Sequence, residues 1–192
     1  MARRIPDEIK VSILTVFGAV STLFIALILS HSPWFHGPAL AGEKHFALFV
    51  IYGMAFSLLV AASMYLKARD GAILILIASV IWGVAVERPG PYGMVRFLLL
   101  VSGIAIGFDR AVKLGRNASP GLRFSLRVLF ATLYCGLGGI VYQLVAGDLS
   151  GSLSEIAGGA AVGLVWGLFL GFAVGLGLSV GKEVVTWVAE KP

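Results

Sequence analysis

The last apolar stretch of the chain carries a small residue at every fourth position: Gly159, Gly163, Gly167, Gly171, Gly175 and then Ser179. In water such a helix is poor, because each interior glycine costs about 1 kcal/mol relative to alanine. In a bilayer the balance reverses. The backbone must close its own hydrogen bonds there, and rows of small residues let two helices touch at their backbones. The row therefore predicts a membrane helix with close neighbours. A second row, Ala131, Cys135 and Gly139, lies on the preceding apolar stretch, and the short link between the two stretches makes them antiparallel partners. A stride of four advances about 40° around the helix at each step, so one straight neighbour cannot meet the whole row. Gly159 to Gly167 are expected against the preceding helix, and Gly171 to Ser179 against a different helix or another subunit.

Composition agrees with membrane residence. Hydrophobic residues make up 58% of the chain and charged ones 13%, against about 45–50% and about 25% in soluble domains. The single cysteine, Cys135, excludes an intrachain disulfide and a cysteine-based zinc site. A net charge of +5 does not point to nucleic acid, because the basic residues fall between apolar runs, where they report orientation.

Six stretches qualify as crossings of a core about 30 Å thick: 11–30, 46–66, 72–86, 93–108, 128–147 and 156–181. The third and fourth are short and flank the turn Pro89-Gly90-Pro91-Tyr92-Gly93, so they read as two short spans or as one re-entrant hairpin. With six crossings, twelve Lys and Arg residues fall on one side and only Lys44, Arg88 and Arg96 on the other. The positive-inside rule then places both termini in the cytoplasm. Arg3 and Arg4 ahead of an apolar run, with Ala39-Leu40-Ala41 downstream, imitate a secretory signal. The run is longer than the 7–15 or so residues of a signal core, and an uncleaved first span is expected. The expected class is an all-α, multi-pass bundle of six helices in one membrane domain, in the cytoplasmic membrane of a prokaryote.

Polar candidates are few. His31, His36 and His45 cluster around the first outer loop and are weak metal candidates, since their spacing matches no ligand pattern and interfacial rings explain them. No residue pattern requires a cofactor. Arg96 is the best ionisable candidate within a span; with Tyr92, Glu87 and Arg88 it would line a polar pocket at the outer face, unless it snorkels to the interface. Arg110, Lys113, Arg116, Arg123 and Arg127 form a basic cytoplasmic connection suited to anionic lipid or an acidic partner. Asn117-Ala118-Ser119 matches a glycosylation sequon there, on the side where that modification does not occur.

Catalytic constellations are not found. The histidines lie apart from Ser102 and Ser179, Asp109 and Asp148 fall on opposite sides, and Gly181-Lys182 lacks the rest of a phosphate loop. An enzyme is not expected. Two functions remain. One is a transport or channel-type membrane component, alone as a homo-oligomer or as a subunit with other membrane proteins. The other is a non-transporting scaffold or accessory subunit packing through its glycine rows. Membrane lipids are expected partners under both, and nucleic acid under neither.

Overall fold

The computed structural model of the chain describes residues 5–31, 43–85, 91–146 and 152–190. These form six helices: α1 (Asp7–Ser30), α2 (Glu43–Ser63), α3 (Ala68–Ala85), α4 (Pro91–Leu114), α5 (Pro120–Ala146) and α6 (Leu153–Glu190). Five are long and apolar enough to cross a membrane; the sixth, α4, carries Arg96, Asp109, Arg110 and Lys113. There is no strand among the described residues. The architecture is that of a helical integral membrane bundle.

Local chemistry sets the helix limits. Ser152 and Glu155 form a reciprocal cap at the start of α6: the Ser152 amide donates to the Glu155 carboxylate at 2.7 Å, and the Glu155 amide donates to the Ser152 hydroxyl at 3.4 Å. Pro120 opens α5, and the Ser119 hydroxyl accepts from the Leu122 amide. The third and fourth spans are longer than their apolar runs. The α3 helix has 18 residues and α4 has 24, about 27 and 36 Å at 1.5 Å per residue. Both are thus close to or above the thickness of a hydrocarbon core, about 30 Å, although α4 is not among the helices apolar enough to count as spans. The α4 helix continues through 109–114, which holds no breaker before Gly115.

The α6 helix is packed against α5 on one side and α1 on the other; α5 leads on to α4, α4 to α3 and α1 to α2, while α2 also touches α3, α4 and α6. The closest contacts between α5 and α6 are between backbones. A methyl group added at Gly163 would meet the Gly139 carbonyl, one at Gly167 the Cys135 carbonyl, and one at Gly171 the Ala131 carbonyl at 2.6 Å. Each four-residue step along α6 is matched by a four-residue step back along α5. Two rows of equal stride slope alike, so they stay in register when the helices cross at an angle.

The division of the row therefore differs from the one expected. Gly171 and Gly175 also face α5, Gly175 through Ala131 and Val128, while α1 is met by Gly177 and Gly181, which lie off the stride. At the outer end Gly159 has only the Gln143 side chain nearby, 3.7 Å from an added methyl. A further stride-of-four row, Leu14, Gly18, Thr22 and Ala26, is buried on α1. Gly18 sits against Ser57, and Gly53 against Thr22. Gly103 and Gly107 on α4 face the Tyr134 and Phe130 carbonyls of α5, and Gly83 on α3 faces Met94.

Candidate functional site

Among the described residues, charged side chains gather against the bundle in two places, one near each end. At the end that the charge partition places outside, Arg96 projects from α4 into a collar of aromatic rings. Its Cζ lies 5.3 Å from the Trp166 ring centre, 5.4 Å from Tyr52 and 5.7 Å from Tyr142, so α2, α5 and α6 each supply one face. Planar guanidinium groups stack well on such faces. Beneath the collar, Tyr52 joins a packed aromatic cluster: Trp82 lies 4.7 Å away centre to centre, Trp82 stacks on Phe97 at 4.6 Å, and Phe56 meets Phe97 edge-on at 4.9 Å. The Trp82 indole nitrogen is buried with no partner among the described residues.

The structure describes only part of the site read in the sequence. Arg96 is half-buried against the rings. Tyr92 is 58% exposed and takes no place in the collar. Glu87 and Arg88 lie outside the described residues, as do His36 and the side chain of His45. His31 ends α1, where its Nδ1 lies 2.8 Å from the Leu27 carbonyl oxygen, a helix-end contact. No group of metal-ligating residues occurs among the described residues.

At the opposite end, the five-residue basic connection separates into different environments. Only Arg116 falls in the turn between α4 and α5; the others are helical, because α4 runs to Leu114 and α5 restarts at Pro120. Arg110, Lys113 and Arg116 are exposed, and Lys113 pairs with Asp109 one turn back at 2.6 Å. Arg123 is half-buried. Arg127 does not belong with them as a surface contact. It is 8% exposed and donates through Nη1 to Glu183 of α6 at 2.8 Å, while its Nε is buried with no partner among the described residues.

Beside that pair lies a cluster that no single stretch of sequence displays. Lys10 of α1 and Lys182 of α6 hold their ammonium groups 5.4 and 5.5 Å from the centre of the same ring, Tyr65 in the turn after α2. The Tyr65 hydroxyl is buried and unpartnered among the described residues. Lys10 also pairs with Asp7 at 2.7 Å. Lys182 follows the apolar run 156–181.

Between the two ends, the buried hydroxyls are turned onto their own helices. Thr22 donates to the Gly18 carbonyl, Ser57 to Gly53 and Ser79 to Ile75, at 2.6 to 2.8 Å. This satisfies each hydroxyl without a contact across the bundle. The buried Ser179 hydroxyl has no partner among the described residues. Comparison of the chain with protein-family models, curated proteins and solved structures finds no match.

Proposed function

We propose that this chain is a non-transporting scaffold or accessory subunit of a membrane assembly, working in the inner membrane of a prokaryote. The observation that carries the reading is the contact between helix backbones. The α4, α5, α6 and α1 helices meet through glycine positions where one added methyl would collide with a neighbouring carbonyl or Cα, and the hydroxyls of Thr22, Ser57 and Ser79 bond along their own helices. A path for a polar solute needs groups presented to the interior. Among the described residues, the middle of the bundle presents mainly apolar side chains, aromatic rings and backbone, with Ser179 as a buried hydroxyl that lacks a partner there.

The test is reconstitution into sealed liposomes together with purification from native membranes in mild detergent. The reading expects no movement of ions or small polar solutes, and recovery with a companion membrane protein. Solute flux lost in Arg96→Ala, with the variant still folded, overturns it. A transport or channel-type component is the second reading. It is favoured by the Arg96 collar, a cationic group held among rings at the outer end.

A further inference from the structure

We propose that the inner end of the bundle holds a specific site for the phosphate of an anionic lipid headgroup, formed by Lys10, Tyr65, Arg127 and Lys182. Four observations converge. The cations come from three helices, α1, α5 and α6, and both lysines share the Tyr65 ring. Each carboxylate of the cluster is already engaged, Asp7 by Lys10 and Glu183 by Arg127. Lys182 is left with no ion pair among the described residues. Two buried donors at this end of the bundle, Arg127 Nε and the Tyr65 hydroxyl, lack acceptors among the described residues, and a buried donor without an acceptor is costly. A phosphate supplies acceptor oxygens and negative charge together.

Position favours a lipid over soluble phosphate. Lys10 immediately precedes the first apolar run, Arg127 precedes the fifth and Lys182 follows the sixth. All three therefore sit where hydrocarbon gives way to headgroups, and on the side the charge partition assigns to the anionic cytoplasmic surface. This is a different place from the exposed residues Arg110, Lys113 and Arg116, which anionic lipid would meet only as a diffuse surface.

The experiment is native mass spectrometry of the full-length protein in neutral detergent. It is titrated with phosphatidylglycerol, with phosphatidylcholine of the same chains, and separately with inorganic phosphate. The expected result is saturable binding of one phosphatidylglycerol, weak binding of phosphatidylcholine and of inorganic phosphate, and a loss of roughly fivefold in affinity for K182Q and again for K10Q. K182R should retain binding. R116Q, an exposed charge on the same side, should leave the affinity unchanged, and binding by wild type alone reads out the site should K182Q fail to fold. Equal losses in R116Q and K182Q, or equal binding of the two lipids by wild type, would overturn the site. Inorganic phosphate binding as tightly as phosphatidylglycerol would overturn the lipid as its occupant.

Discussion

Replacing Gly171 by alanine isolates the packing on which the bundle depends. The added methyl lies 2.6 Å from the Ala131 carbonyl oxygen, 2.7 Å from Cys135 Cβ and 2.9 Å from Thr132 Cα. Comfortable contact begins near 3.5 Å, so α5 and α6 must separate by roughly 1 Å. Two of the obstructing atoms are backbone and cannot swing aside, which places the cost near the top of the usual overpacking range, about 3 kcal/mol. Alanine also gains about 1 kcal/mol of helix propensity. Gly158→Ala carries the same propensity gain, yet its methyl meets nothing within 4 Å. The difference between the two variants removes the propensity term and leaves packing, about 3 kcal/mol, or roughly a hundredfold in the unfolding equilibrium. Unfolding by increasing the mole fraction of sodium dodecyl sulfate in mixed micelles, followed by tryptophan fluorescence, measures it. If Gly171→Ala and Gly158→Ala unfold within about 0.5 kcal/mol of each other, the backbone contact is not where the stability lies.

Other outcomes follow from the same geometry. Glu183→Gln leaves the buried Arg127 without its carboxylate and should cost about 1–3 kcal/mol in the same assay. That is less than a wholly enclosed pair would lose, because Glu183 is 45% exposed. Thr22→Val removes a bond that closes only on α1 and should change stability by less than about 1 kcal/mol. Cys135 is fully buried, so maleimide should fail to label it in mild detergent and label it readily once the detergent unfolds the chain. Arg96→Lys keeps the charge but loses the guanidinium contacts with the rings of Tyr52, Tyr142 and Trp166, so the near-ultraviolet circular dichroism of the aromatic cluster should change while the far-ultraviolet spectrum stays constant.

What the sequence reveals depends on whether a signal is local. The start of α6 is legible because Ser152 and Glu155 are three residues apart and complete each other. The rows on α5 and α6 are legible because their residues are all small. The α1 row escapes the same search, since Leu14 and Thr22 stand in it beside Gly18 and Ala26, and smallness is needed only where α2 and α6 come close. Counting charges by connection predicts orientation but misplaces Arg127, whose helix face turns it toward Glu183. The Lys10, Tyr65, Arg127 and Lys182 cluster is invisible along the chain because α1, the α2–α3 turn, α5 and α6 contribute one residue each. Six spans do place all four at the same membrane level, and that is the one signal the sequence offered.

The central claim is that the small-residue rows are used within one chain, holding α6 between α5 and α1. Solid-state NMR of the protein in lipid bilayers, labelled only at glycine Cα, addresses it directly. Labelled chains are diluted into an excess of unlabelled ones so that contacts between chains fade. Cross-peaks between Gly163 and Gly139, between Gly167 and Gly136, and between Gly177 and Gly18 should persist at full relative intensity. Their loss on dilution would show that the rows join separate copies and would contradict the account.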